Sequence, residues 1–455
     1  MKGRAVITHT EGEANTSEAR RAWAARHPDP ATRELLARDA GAFLHQSLSS
    51  PCLSTIARAE GIWIEDTAGR RFMDFHGNSV HHLGYGHPRV VAAIKDQLDR
   101  LSFSPRRFTN EVSVALAEAL AALAPGDLGK VLFTTGGSDA NEVALRLARA
   151  VTGRFKTISF WDAFHGAGFG AASVGGEATF RSGIAGPLLP GAEHVAPFNC
   201  YRCAYGHPGP AACGLACARM VEFVLEREGD VAAVIAEPMR AVPVVPPPGY
   251  WQAVQAACHR HGALLVMDEI PTGLGKTGAM FAFEHDGVVP DIVTLGKALG
   301  GGILPIAAVV ARRDLDLAGD YAIGHYTHEK NPVTARAALE TLDVIREEGL
   351  VARAAELGAH ALARLAETLA GIAIVGDIRG RGLMFGVEIV EDRATKAPGR
   401  AAAERICYRC LEAGLSFKIS AGSVLTLSPP LTIARDDLDR ALAIVARAVR
   451  EEAAA

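Results

Sequence analysis

The sequence has no long basic run. Its 47 lysines and arginines stand against 51 aspartates and glutamates, which leaves a net charge of −4 with histidine neutral. Charge so balanced does not hold nucleic acid or an anionic membrane by bulk electrostatics. Long apolar runs are missing as well. The opening MKGRAVITHTEGEANTSEARRAW has no apolar core of signal-peptide length, and no later stretch is long enough to span a bilayer. The compartment expected is therefore the cytoplasm. Internal repeats and low-complexity tracts are also lacking.

What is present is an ordinary globular balance, 49% apolar and 22% charged residues. The 455 residues have room for two or three domain-sized units or one large α/β fold. Eight cysteines occur, four of them as CYRCAYGHPGPAACGLAC: Cys200, Cys203, Cys213 and Cys217. Cys200/Cys203 has the look of a zinc knuckle, and Cys407/Cys410 repeats the spacing. A chain this long needs neither structural zinc nor a disulfide. The reading is reduced thiols in a surface insertion, with no metal.

Strand-like apolar runs alternate with helical patterns through the middle of the chain. KVLFTT (130–135), KTISFW (156–161), VAAVIAEP (231–238), ALLVMDEI (263–270), DIVTLG (291–296) and PIAAVVA (305–311) are such runs. Continuous apolar strands separated by helices indicate a mainly parallel sheet covered on both faces. Residues 30–48 and 338–370 read as amphipathic helices, and 377–390 as one strand with an irregular start. The division expected is a large central domain, 85–340, and a smaller α+β domain built from 1–84 and 341–455.

Three features carry chemistry. Lys297 is the only charged residue between Ile292 and Ala311, and apolar residues and glycines surround it. Burial of an unpaired ammonium costs several kcal/mol or drives off its proton. TTGGSDANEVALRLARAV ends a strand in Gly136 and Gly137 and opens a helix at Ser138, so backbone N–H groups and the helix dipole can cradle a phosphate. By itself it reads rather as an ordinary capped strand-to-helix turn. Asp268 ends a buried strand, where a carboxylate needs a cation: a structural ion pair or a cofactor. GLGKTG resembles the end of a nucleotide-binding P-loop. That loop needs a glycine where Ile270 stands and a helix where AMFAFEHDGVVPD reads as loop, so the P-loop is rejected. A reactive amine, a buried carboxylate and a phosphate cradle together suit pyridoxal 5′-phosphate.

The motifs GGSDANEVALRLAR, FHG (164–166), AEP (236–238), DEIPTGLGKTG and TLGKALGGG resemble the class III (omega) aminotransferases, pyridoxal-phosphate enzymes of fold type I. The resemblance runs from about FLHQSLSSPCL to the C-terminus. It implies a large domain with a seven-stranded, mainly parallel sheet. It implies that Lys297 carries the cofactor covalently, that Asp268 partners the pyridine nitrogen and that Glu237 lies beside them as a third catalytic residue. Gly137 and Ser138 would bind the phosphate. Phe164 and His165, with Ile270 opposite, would border the ring, although Phe164 and Ile270 also read as core. Thr327 would reach the phosphate of the neighbouring subunit, which makes a homodimer with shared sites.

Departures from the family pattern bear on the substrate. Pro271 replaces a glutamine three residues after the aspartate. Glu329 and Lys330 stand in the x-Gly positions of the dimer loop. Thr426 stands three residues before Pro429-Pro430, where many members carry an arginine that grips the keto acid's carboxylate. A hydroxyl cannot replace that bidentate pair. Arg240, His81, His82, His325, His328 and Lys330 are candidates for the substrate pocket, or else surface and supporting groups. The pieces FLHQSLSSPCL, MDFHGNSVHHLGYGHP, DEIPTGLGKTG and GHYTHEKNPV resemble most a branch of the family that releases ammonia from a hydroxylated aminophosphonate. The reaction this implies is elimination from a β-hydroxy amine. An omega-aminotransferase is the alternative, and an amino-acid racemase or epimerase a third.

Overall fold

The computed structural model describes residues 17–46, 52–181 and 183–455. The N-terminal reading of residues 1–16 and the middle of FLHQSLSSPCL lie outside them. Two helices, Glu18–Arg26 and Pro30–Ala42, precede three short strands: β1 (Arg58–Glu60), β2 (Trp63–Glu65) and β3 (Arg71–Asp74). They form an antiparallel run whose last strand pairs in parallel with Leu415–Ser416 from near the other chain end.

The central sheet has seven strands: β4 (Leu128–Thr134), β5 (Lys156–Phe160), β6 (Ala192–Val195), β7 (Val231–Ala236), β8 (Leu264–Asp268), β9 (Ile292–Leu295) and β10 (Ala307–Arg312). Their order is β4-β10-β9-β8-β7-β5-β6. Neighbours from β9 through β6 are parallel, and β10 runs antiparallel to both β9 and β4. Every residue of β7 and β8 is buried. Successive residues feed two separate apolar clusters: Val234, Leu265 and Val293 on one face, Ile235, Val266 and Ile292 on the other. That alternation is the period of two of an extended strand. It explains why these strands read as continuous apolar runs.

The helix Gly137–Thr152 covers the second face with Ala140, Val143, Ala144, Leu147 and Ala148, one helical stripe. It stops at Gly153, whose φ of 66° is open to glycine at little cost.

Three expectations need correction. The stretch 377–390 is an antiparallel hairpin, β11 (Val375–Arg381) and β12 (Met384–Asp392), which belongs to a five-stranded sheet with Lys418–Ser420 and Val424–Leu427. Gly382 makes the turn with φ 53°. Helix 30–48 ends at Ala42, and 338–370 is divided at Gly349 between helices Pro332–Glu347 and Leu350–Thr368. The cysteine-rich segment is not merely surface. Cys213 and Cys217 are buried, Cys217 within the main core, while Cys200 and Cys203 are half-buried. All eight cysteines are free thiols. No described helix is long and apolar enough to cross a membrane.

Candidate active site

Asp268 closes β8 and is almost fully buried, 2% exposed. Its Oδ2 accepts hydrogen bonds from Asn141 Nδ2 at 2.8 Å and His165 Nδ1 at 2.7 Å, and its Oδ1 accepts one from Ile270 N at 3.1 Å. Asn141 is fixed in turn. Its Nδ2 also donates to His165 O at 2.8 Å, and its Oδ1 accepts from Thr294 Oγ1 at 2.9 Å. The carboxylate is thereby aimed from the helix, from β9 through Thr294, and from the loops that follow β5 and β8. A carboxylate offers about four lone-pair sites, so Oδ1, with its single bond, can take one more donor. A protonated ring nitrogen is a donor of that kind, and it supplies the cation a buried carboxylate requires.

Sequence reading named Asp268 and His165 but passed over Asn141 and Thr294. A signal existed. Asn141 lies on the inward stripe of an apolar helix, fully buried, where a lone amide must have partners.

Lys297 follows β9 and opens a single 3₁₀ turn, Lys297–Gly300. Its φ is 45°, a left-handed conformation that costs a non-glycine residue about 1–2 kcal/mol. Ile270 packs between this turn and the glycine cradle. A Cβ built on Gly137 would come within 2.6 Å of Ile270 Cδ1, and one on Gly296 within 3.5 Å of Ile270 Cγ2. Lysine turn, Ile270 and helix N-terminus are therefore neighbours.

The cradle itself fits a phosphate. Gly137 and Ser138 begin the helix, and a Cβ on Gly136 would meet nothing within 4 Å, so the ground before the helix is open. Ser138 Oγ accepts from Ala167 N at 3.1 Å. Gly166 runs so close over Ser138 that a Cβ would stand 2.3 Å from Oγ, which accounts for the glycine of FHG. Phe164 is half-buried, its ring 4.6 Å from that of Phe180. His165 Nε2 is buried with no hydrogen-bond partner among the described residues.

Glu237 directly follows β7, beside β8, and is 4% exposed. Its Oε2 accepts from Ala241 N at 2.9 Å, and Oε1 lies 3.5 Å from Arg240 Nε.

The other candidates separate. His82 is buried, its Nε2 3.1 Å from Gly273 O. Burial, then the nearby Lys276 and Lys297 amines, push its pKa well below the ordinary histidine value, so it is neutral at pH 7. It brings no positive charge to an acidic ligand. His81 is buried too, its ring bonded to Asp74 O at 3.0 Å. Thr327, His328 and Lys330 are exposed on one turn. That turn is tied to residues 103–110 by Phe103 against His328 and by Asn110 Nδ2 on Lys330 O. His325 meets Arg106 there, at 2.5 Å. Thr426 Oγ1 donates to Ser420 Oγ at 2.8 Å across the hairpin of the five-stranded sheet.

The lysine of GLGKTG has another use. Lys276 is wholly buried, donates to Pro429 O at 2.7 Å, and burial lowers its pKa to about 7. It braces the Pro429-Pro430 loop, whose Leu431 N donates to His82 O. No α-helix follows it, only the 3₁₀ turn Ala282–Asp286.

Residues 45–449 match the family described as aminotransferase class-III, and the chain belongs to that family of pyridoxal-phosphate enzymes. Among curated relatives it is 44% identical over 460 residues to the (R)-1-hydroxy-2-aminoethylphosphonate ammonia-lyase of Vibrio splendidus, covering 98% of this chain and 96% of that one. It is 38% identical to the leucine/methionine racemase of Thermococcus litoralis, covering 88% and 91%. Among solved structures, an omega-transaminase from Thermomicrobium roseum superposes with a TM-score of 0.86 at 32% identity, over 92% of this chain and 98% of that one. The α/β architecture is thus that of fold-type I transaminases.

Proposed function

We propose that the protein is a pyridoxal-phosphate-dependent ammonia-lyase that converts a β-hydroxy amine with an acidic tail, of the 1-hydroxy-2-aminoethylphosphonate kind, to phosphonoacetaldehyde and ammonia. The observation that carries this reading is the 44% identity to the Vibrio splendidus ammonia-lyase along nearly the whole of both chains. Thr426 agrees with it. Its hydroxyl is engaged by Ser420 and offers no guanidinium for a keto-acid partner.

Bound pyridoxal phosphate would supply an electron sink for the carbon that bears the nitrogen. Asp268 would hold its ring nitrogen protonated, aimed by Asn141 and His165. Gly137 and Ser138 would hold its phosphate at the helix N-terminus. Phe164 and Ile270 would border its two ring faces. Lys297 Nζ takes the proton from the nitrogen-bearing carbon and can return it to the departing hydroxyl. Loss of that hydroxyl as water and re-addition of water at the nitrogen-bearing carbon leave an aldehyde and ammonia, so atoms balance without a second substrate.

Two copies would complete each site, with Thr327 of one chain on the cofactor phosphate of the other. The 324–331 turn, with His325, Thr327, His328 and Lys330 exposed and the exposed Tyr321 just before it, suits such a contact. Assembly as a homodimer, a role in phosphonate breakdown and a cytoplasmic location belong to this reading.

A paired assay tests it. The holoenzyme is given the hydroxylated aminophosphonate or its deoxy analogue, each with and without 2-oxoglutarate. The lyase consumes only the hydroxylated compound and ignores the keto acid. An aminotransferase needs the keto acid and accepts both.

A further inference from the structure

Beyond the carboxyl ends of β5, β6 and β7, a cavity of about 80 Å³ opens between the central sheet and the five-stranded sheet. That is room for two or three waters, at about 30 Å³ each, or for one compact tetrahedral group. Three guanidiniums line it: Arg202, Arg240 and Arg379. Arg202 and Arg379 are locked onto one carboxylate, Glu388, at 2.6 and 2.8 Å. Burial alone would raise the Glu388 carboxyl. The two guanidiniums outweigh it and hold the group below the usual range.

Arg240 is placed differently. Its Nη2 lies 3.4 Å from Glu177 Oε1 and its Nε 3.5 Å from Glu237 Oε1, both longer than the Glu388 pairs. All three residues are buried, at 6%, 2% and 4% exposure. The backbone of Arg240 is pinned by reciprocal hydrogen bonds with Val244 at 3.1 and 3.3 Å, so the side chain starts from a fixed point. Glu237 follows β7 where β7 lies beside β8 and Asp268. One carboxylate therefore stands between the cofactor site and the Arg240 guanidinium. A guanidinium matches two oxygens of a phosphonate, and low dielectric strengthens the pair. The other candidates serve less well: His82 is neutral, and His328 and Lys330 are exposed.

We propose that Arg240 is the subsite for the anionic tail of the substrate and that Glu177 is its resting counter-ion, which the tail displaces. The proposal rests on the acidic-tailed substrate put forward above. Exchange of one anion for another keeps the buried guanidinium paired throughout.

The test uses equilibrium binding to the holoenzyme of 2-aminoethylphosphonate, which has the tail but no hydroxyl to expel, against tail-free propylamine, read by the cofactor's absorbance. Wild-type protein should prefer the tailed amine. Arg240→Gln should weaken the tailed amine about 10- to 100-fold relative to propylamine, and Arg240→Lys should restore part of the preference. Glu177→Gln, which removes the competing anion, should tighten the tailed amine several-fold, whereas loss of a merely structural ion pair would weaken both ligands. Equal weakening of both amines by Arg240→Gln, weaker tailed binding in Glu177→Gln, or no wild-type preference for the tail would overturn the subsite. Because these ligands cannot eliminate, the outcome is independent of the lyase reading, which falls only if the hydroxylated compound yields no ammonia.

Discussion

Asn141 Nδ2 and Asp268 Oδ2 stand 2.8 Å apart, although 127 residues separate them in the chain. The pair joins the helix behind the glycine cradle to the strand that ends in the Asp268 carboxylate. It sets the direction of Asp268 without neutralising it, which would leave the charge for the proposed cofactor. Asn141→Leu removes a hydrogen bond to a charged group, worth about 1.5–3 kcal/mol. The expected result is cofactor affinity reduced about 10- to 100-fold with the fold intact. Titration of the apoprotein with pyridoxal phosphate, beside a circular dichroism melt, measures both. Unchanged affinity would mean that Asn141 does not support the carboxylate.

Lys297 is expected to carry the cofactor. The wild-type protein should show a visible band that borohydride abolishes with permanent attachment of the cofactor. Lys297→Ala should lose turnover and borohydride attachment, and still retain cofactor through the cradle of Gly137 and Ser138. Mass spectrometry of the reduced protein checks the site. Attachment at Lys276 instead would contradict the assignment, since that amine is enclosed and committed to Pro429 O.

Shared sites would give a complementation result. Thr327→Glu places a carboxylate where a partner's phosphate should lie, so it should be inactive, as should Lys297→Ala. Mixed and reassembled, the two variants form heterodimers with one intact site, and activity should return to about a quarter of wild type for random pairing. No recovery, or a fully active monomer, would separate Thr327 from the neighbouring site.

Two buried groups give opposite pH dependences of stability. Burial raises the Glu269 carboxyl to about 8, although Thr272 Oγ1 and Phe283 N donate to it. The folded state then holds a proton that the unfolded state releases, and stability falls as pH rises from about 4.5 to 8. Lys276, lowered to about 7, does the reverse: the unfolded state binds the extra proton, and stability rises as pH goes from about 7 to 10.5. Glu269→Gln removes the first slope. Its stability relative to wild type should improve by a few kcal/mol between pH 5 and pH 8. Chemical denaturation at several pH values measures this, and a difference independent of pH would show that Glu269 stays ionised.

Much of this was legible in the sequence, and the reason is physical. β7, β8 and β9 are buried on both faces, so they read as unbroken apolar runs, and Lys297 and Asp268 stood out as charges against them. β6, AEHV, has no such run and escaped notice. The hairpin of β11 and β12 was hidden because Gly376, Gly380, Gly382 and Gly386 all lie in it, and only φ singles out Gly382 as the turn. Partnerships across the fold were beyond reach. Nothing local ties Arg240 to Glu177, 63 residues earlier, or Asn141 to Thr294, 153 residues later. The silence at Thr426 was readable only as the lack of an arginine, and its bond to Ser420 depends on the register of a hairpin.

The central claim is elimination rather than amino transfer. The most direct measurement is ammonia release by the purified holoenzyme from 1-hydroxy-2-aminoethylphosphonate with no keto acid present, followed beside aldehyde formation. The account predicts many turnovers, with ammonia and aldehyde in a one-to-one ratio and no effect of added 2-oxoglutarate or pyruvate. Release of at most one equivalent per site, with sustained turnover only after a keto acid is added, would contradict it and leave an aminotransferase in its place.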